Sequence, residues 1–139
     1  MKMVLMSILC GCVLLMDAPA DAEEPKVNCE KADTQMEMNY CAEQDFNAAD
    51  ADLNAQWKVT RKALADWDKK LDVDQRGAEN ALLKSQRAWI DYRDGECEAE
   101  GYSAHGGTME PMLVMSCKAE LSKVRTEELK QLADTIGQQ

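Results

Sequence analysis

Residues 46–71 read FNAADADLNAQWKVTRKALADWDKKL and carry the strongest structural signal in this chain. Their apolar or nearly apolar positions are separated by steps of three or four residues: Phe46, Ala49, Leu53, Trp57, Thr60, Leu64, Trp67 and Leu71. This spacing places all of them on one side of an α-helix. No glycine or proline interrupts residues 34–71, and Thr34 with Glu37 has the spacing of a capping box. The stretch predicts one long amphipathic helix, or a short helix leading into a long one.

A second helical stripe follows a break at residues 71–74. It consists of Leu82, Gln86, Trp89, Arg93 and Cys97, and is widened by Leu83 and Ile90. We expect this helix to begin near Ala78, because Gly77 has low helix propensity. Asp72 or Asp74 would cap it at its positive end, and it should end near Gly101.

A third stripe begins after a loop that runs from Gly101 to Pro111. Proline suits the first turn of a helix, and the apolar positions beyond it are Val114, Cys117, Leu121, Arg125, Leu129, Leu132 and Ile136. No segment alternates apolar and polar residues as a half-buried strand would. The predicted fold class is therefore all-α, an antiparallel bundle of about three helices.

The N-terminus has the features of a secretory signal peptide. Lys2 precedes an apolar run of about 14 residues, and Ala-x-Ala sequences end at Ala20 and Ala22. We expect cleavage after Ala22, which makes residues 1–22 the leader and 23–139 a periplasmic or secreted helical domain. The run is shorter than the roughly 20 residues of a membrane span. A lipoprotein signal at Leu9–Cys12 is the alternative, although the apolar run continues past Cys12.

Four cysteines follow the leader, at positions 29, 41, 97 and 117. Exported chains usually oxidise an even set of cysteines, so we expect two disulfides. Three connectivities are possible, and we favour Cys29–Cys41 with Cys97–Cys117 because both bridges are local. Each would contribute roughly 3 kcal/mol by the chain-entropy estimate. Zinc is disfavoured, because no C-x-x-C pair occurs and His105 is the only histidine.

The composition limits the classes of partner and of activity. Residues 23–139 contain 15 basic and 24 acidic side chains, a formal charge of −9. Nucleic acid and anionic membranes repel such a chain, whereas a cationic protein is attracted to it. No catalytic or phosphate-binding motif is present, so we expect neither an enzyme nor a bound cofactor.

Polar residues fall on or beside the stripes that should face the core: Asp50, Asn54, Gln86, Arg93 and Arg125. Buried charges require paired, hydrogen-bonded partners. We therefore expect Asp50 to face Arg93 or Arg125 in an internal polar network. The alternative is that this region forms a pocket for a small ligand.

Two segments could bind a partner or a metal. In the glycine-rich loop, Ser103, His105 and Thr108 are candidate partner-binding residues, because a disulfide at its base would pre-order the loop and lower the entropy cost of binding. Met109, Met112 and Met115 are spaced by three and contain thioethers that suit Cu(I). Methionine at helical spacing is also a frequent core residue.

The combination of motifs resembles the LprI-like family of exported bacterial domains. The matching residues are Cys41, Asp50-x-x-Leu53-Asn54, Leu83-x-x-Gln86-x-x-Trp89-x-x-Tyr92-Arg93-x-x-x-Cys97, Gly106-Gly107-Thr108, Cys117 and Arg125-x-x-x-Leu129. The resemblance covers about residues 29–132. It implies a helical, disulfide-linked domain of the cell envelope, in a family whose members are described as lysozyme inhibitors. A basic lysozyme is therefore the expected protein partner, and the oligomeric state stays open.

Overall fold

Three α-helices form the part of the protein that the computed structural model describes, residues 27–139. They are α1 (Gln35–Asp68), α2 (Ala78–Gly101) and α3 (Glu110–Gly137). Short 3₁₀ turns lie at Cys29–Lys31, Val73–Gln75 and Tyr102–Ala104, and no strand occurs among these residues. The predicted all-α bundle is confirmed. The predicted leader and its cleavage site lie outside the described residues.

The predicted capping box starts α1. The amide of Glu37 donates to Thr34 Oγ1 at 3.2 Å, and the amide of Thr34 donates to Glu37 Oε2 at 3.0 Å. These bonds stabilise the ionised carboxylate, and the Thr34 amide is the largest cause of the lowered pKa of Glu37. The 34 residues of α1 make it roughly 50 Å long.

The cap of α2 differs from the prediction. Neither Asp72 nor Asp74 caps this helix; the carboxylate of Asp68, in the last turn of α1, accepts the amides of Gly77, Ala78 and Glu79, each at 3.0 Å. The three bonds hold the pKa of Asp68 below its ordinary value, with the Gly77 amide as the largest cause. Gly77 has φ 148°, a conformation that L side chains rarely adopt. One side chain therefore joins the end of α1 to the start of α2.

The helices run up, down and up, with α1 and α3 parallel and packed along most of their length. Asn39 Nδ2 donates to the Thr108 carbonyl near one end, and Thr60 Oγ1 donates to the Leu129 carbonyl towards the other. α2 runs antiparallel to both, as the contact of its Arg93 with α1 and that of Gln86 with α3 show. Sequential helices are antiparallel neighbours, as expected from short connections.

The apolar core lies where the three helices meet. Leu53, Leu64, Leu82 and Leu129 form its buried cluster, with Trp57, Ala63, Ala78, Trp89 and Ile136 packed around it. The stripe predicted for α1 is largely confirmed, except that Leu71 lies beyond the end of the helix. Ile90, expected to widen the α2 stripe, is 40% exposed instead.

The buried face of α3 was predicted only in part. Its buried residues are Ala119, Ser122 and Leu129, and only Leu129 belongs to the predicted stripe. Two members of that stripe, Cys117 and Arg125, contact α2 instead. The small side chains of Ala119 and Ser122 add little to a hydropathy pattern, which explains why their burial was not predicted.

The two favoured disulfides are present. Cys29–Cys41 joins the first 3₁₀ turn to α1, and Cys97–Cys117 joins the end of α2 to the start of α3. Cys97 is completely buried. Across residues 27–139, none of the helices has the length and apolarity needed to cross a membrane.

Candidate functional site

Charge is distributed unevenly along the bundle. The contact of Arg125 in α3 with Gln86 in α2 marks a midplane across the bundle. On one side lie both disulfides, in residues 27–56 and 87–125, here called the disulfide half. On the other lie residues 57–86 and 126–139, the far half. The disulfide half has 14 acidic and 6 basic side chains, whereas the far half has 8 of each. The net charge of −8 on the described chain thus belongs entirely to the disulfide half.

The loop between α2 and α3 lies at the end of the disulfide half and is internally bonded. The ring of His105 stacks on Tyr102, with centroids 4.4 Å apart and planes within 5°. His105 Nδ1 lies 3.1 Å from Glu110 Oε1, and the Gly106 amide donates to Glu110 Oε2 at 2.7 Å. The Gly106 amide and then His105 lower the pKa of Glu110. Glu110 therefore fastens the loop to the first turn of α3.

The three predicted partner-binding residues all lie on the surface of this loop. Ser103, His105 and Thr108 are exposed. The side chain of Asn39 donates to the Thr108 carbonyl at 2.9 Å, so the loop is also attached to the start of α1. The buried Cys97 of the second disulfide lies one turn before the loop. Contacts with α1, α2 and α3 all restrain it, which keeps its exposed polar groups in fixed positions.

A groove of about 360 Å³ separates α2 from α3 in the disulfide half. It is lined by Tyr92, Glu96, Glu100, Ser116, Cys117, Glu120 and Leu121. The three glutamates are exposed, and Tyr92 is 56% exposed. The lining thus combines carboxylates with an aromatic ring beside the disulfide.

The predicted polar network separates into two clusters. In the first, Arg93 is buried and its Nη1 donates to Asp50 Oδ1 at 3.2 Å, while Asn54 donates to Asp50 at 2.7 Å. Nε of Arg93 donates to Asp94, whose partial burial opposes ionisation but whose bonds from Arg93 and Lys118 nevertheless lower its pKa. Asp50 faces Arg93 rather than Arg125, and Asn54 is exposed rather than internal.

The second cluster centres on Arg125, which is half-buried. It donates to Gln86 Oε1 at 3.1 Å, to Ser85 Oγ at 3.0 Å and to Glu128 at 2.8 Å. Trp89 lies between the clusters, with the Arg93 guanidinium 5.3 Å and the Arg125 guanidinium 5.9 Å from its ring. Every buried side-chain nitrogen and oxygen among residues 27–139 has a partner.

Several polar and cation–π contacts of the buried residues were not predicted from the sequence. Ser122 is fully buried and lies 3.5 Å from Arg93 Nη1, and the Phe46 ring lies 5.3 Å from the same guanidinium. Thr60, placed on the α1 stripe as a nearly apolar residue, uses its hydroxyl to bond α3. Ser122 was visible in the sequence one helical turn before Arg125, but only the packing of α2 against α3 brings it to its partner, Arg93.

The methionine segment lies at the start of α3. Met109 is exposed, Met112 and Met115 are half-buried, and Gln35 Nε2 lies 3.8 Å from Met112 Sδ. Among residues 27–139, no three histidine, cysteine or acidic side chains are grouped as metal ligands. Copper binding by the thioethers stays a prediction from the sequence.

Comparison with known proteins identifies the family. A family model described as lysozyme inhibitor LprI matches residues 27–129. An uncharacterized protein of Rhizobium meliloti (strain 1021) is 51% identical over 126 residues, which cover 88% of this chain and 91% of that protein. The uncharacterized protein YecT of Escherichia coli (strain K12) is 40% identical over 69 residues, which cover 44% of this chain and 38% of YecT.

A solved structure supports the fold. The crystal structure of a DUF1311 family protein from Pseudomonas putida KT2440 aligns with a TM-score of 0.63 at 21% identity. The alignment covers 74% of this chain and 97% of that one. The helical architecture is therefore shared with this protein. From the family match over most of its length, the chain belongs to the LprI family of lysozyme inhibitors.

Proposed function

We propose that this protein is an exported, non-enzymatic inhibitor that binds a cationic lysozyme through its disulfide half. The observation that carries the proposal is the location of the whole net charge of −8 in the half that also holds the restrained loop. Family membership supplies the class of partner. A cationic enzyme would be attracted to this half and not to the neutral far half.

The acidic surface would act first, during encounter. Complementary charge orients the approaching protein and raises the association rate. Its effect on affinity is smaller. The first part of α1, residues 35–56, contains five acidic side chains and no basic one, and the end of α2 adds further acids. The enzyme would thus meet the end of the bundle that carries the loop.

The loop would act second, by contacting the active-site cleft. Ser103 and Thr108 present hydroxyl donors, and His105 is held by Tyr102 and Glu110 in one orientation. The catalytic carboxylates of a lysozyme accept such hydrogen bonds. A loop that is already ordered loses little conformational entropy on binding, which favours affinity.

Inhibition assays with two charge-reversal variants test the role of the acidic half. Glu96→Lys/Glu100→Lys/Glu120→Lys reverses three exposed acids of the groove. Asp72→Lys/Glu127→Lys/Asp134→Lys reverses three exposed acids of the far half and changes the net charge equally. We expect the first variant to weaken inhibition of a cationic lysozyme by about tenfold or more at low salt, and the second to have little effect.

Two results would refute the proposal. One is equal weakening by both variants, which would mean that net charge alone acts. The other is no inhibition by the oxidised wild-type protein at micromolar concentration and low ionic strength. A loop variant, Ser103→Ala/His105→Ala/Thr108→Ala, separates the two steps, because it should raise the dissociation rate and leave the association rate nearly unchanged.

A further inference from the structure

The far half contains a basic groove, which lies outside the disulfide half that is proposed to bind lysozyme. It has a volume of about 300 Å³ and is lined by Trp57, Lys58, Arg61, Lys62, Ala65 and Glu79. Three of these six side chains are cationic and one is acidic, in a protein whose overall charge is strongly negative. The local field in this groove therefore favours an anion, against the trend of the molecule.

The cations of the groove are only partly neutralised. Arg61 Nε donates to Glu79 at 2.7 Å, and Lys62 pairs with Asp66, whose pKa is lowered to about 2 chiefly by the hydrogen bond from Lys62. Lys58 forms no ion pair within residues 27–139. Lys62 is 79% exposed, so a ligand in the groove can reach its ammonium.

Trp57 gives the groove an apolar wall. Its indole packs partly against the core and also lines the groove. A flat aromatic face with nearby cations suits a ligand that has both an apolar ring face and anionic groups. A pyranose ring with a carboxylate has this combination, since its C–H face packs on indole and its charge pairs with lysine or arginine.

We propose that this groove binds an acidic oligosaccharide, as a second site that is separate from the inhibitory half. Its position at the opposite side of the midplane would leave the loop and the acidic surface accessible while the saccharide is bound. Saccharide binding does not depend on lysozyme inhibition, because every residue of the groove lies in the far half.

Titration of the oxidised protein with hexagalacturonate tests this site. Binding is followed by calorimetry and by the shift of the Trp57 indole N–H signal in NMR spectra, assigned with a Trp57→Phe variant. The neutral, fully N-acetylated chitohexaose serves as the control ligand of equal length. We expect binding of the acidic hexamer and a shift of Trp57, with neither for the neutral one.

Matched variants locate the site. Lys58→Glu/Lys62→Glu should weaken binding of hexagalacturonate by about tenfold or more at physiological salt. Lys84→Glu/Lys130→Glu changes the net charge equally at exposed positions outside the groove and should have little effect, because salt screens distant charges.

Three results would overturn the assignment. They are the absence of binding, equal loss in both variants, and equal affinity for the neutral hexamer. Vesicles containing phosphatidylglycerol provide a further comparison. Vesicle binding that Lys58→Glu/Lys62→Glu abolishes, without binding of the saccharide, would assign the groove to a membrane surface instead.

Discussion

Single polar side chains hold the helices of this bundle together at several buried points. The Thr60 hydroxyl bonds the Leu129 carbonyl across α1 and α3, and Arg93 lies buried between Phe46 and Trp89 while its guanidinium reaches Asp50 and Asp94. Each such bond adds little net stability, but leaving a buried donor unpaired costs more than the bond contributes. These residues therefore act mainly by excluding other helix registers.

Replacement of Asp68 tests the cap that joins the end of α1 to the start of α2. Asp68→Ala removes the acceptor of three amides and should lower the melting temperature at pH 7 by several degrees. Because the folded pKa is below the ordinary value of 3.8, the ionised carboxylate stabilises the fold above about pH 4. This contribution is lost as the pH falls through the folded pKa, so the deficit of the variant should shrink towards pH 2. Melting curves across this range provide the measurement.

Asp72→Ala is the matched control for Asp68. The Asp72 side chain makes no capping bond, so its removal should change the melting temperature little at any pH. Equal effects of the two substitutions would contradict the assignment of Asp68 as the cap that joins α1 to α2.

At the scale of elements, the contact between the end of α2 and the start of α3 is unusually close. A Cβ atom built on Gly101 would lie 2.5 Å from Val114 Cγ2, within a pair of helices that the Cys97–Cys117 bridge also joins. Valine is stiff at χ1, so it cannot easily move aside. The φ of Gly101 is ordinary for a helix, so backbone conformation does not require glycine here. The close approach of the two helices does.

Gly101→Ala should destabilise the protein by about 1–3 kcal/mol, because the added methyl forces the two helices apart. Gly95 lies in the same helix, and a methyl group added there would meet nothing within 4 Å, so Gly95→Ala should stabilise by roughly 0.5–1 kcal/mol through helix propensity. Urea unfolding of both variants measures the difference. Stabilisation by both substitutions would show that helix propensity, and not the close approach to Val114, decides both positions.

Over the whole molecule, the two disulfides constrain very different surroundings. The turn at Cys29–Lys31 contains no buried residue, whereas Cys97 is completely buried between α2 and α3. Chain entropy alone predicts similar contributions from the two bridges, roughly 3 kcal/mol each. The structure predicts unequal contributions to stability. Without its bridge, the exposed turn can fray in the native state, so the native state also gains conformational entropy and the loss of stability is smaller.

Removal of each bridge tests this inequality. Cys97→Ala/Cys117→Ala should cost about 3 kcal/mol in urea unfolding, and Cys29→Ala/Cys41→Ala less than about half of that. Hydrogen exchange should show faster exchange only near the start of α1 in the second variant. A larger loss of stability on removing the Cys29–Cys41 bridge would contradict the reasoning.

The sequence by itself determined the helices, the start of α1 and the disulfide pairing, because the patterns that indicate them are local in the chain. The period of apolar residues predicts the three helices, Thr34 with Glu37 predicts the start of α1, and the short spacing of the cysteines favours the observed pairing. Each of these features depends on residues close together in the chain. The family resemblance was also visible in the motifs around Trp89 and Cys97, and the family match confirms it.

Tertiary structure alone decided which groups meet across the helices. The capping of α2 by Asp68, the burial of Ser122 against Arg93, and the separation of Arg125 from Asp50 depend on how the helices are rotated about their axes. Small or polar residues set that rotation, and they leave no hydropathy signal. The same packing gathers charges from two separate segments, residues 27–56 and 87–125, into one acidic half and brings Trp57 beside a basic groove. A linear charge count cannot reveal this, because electrostatic fields add in space and not along the chain.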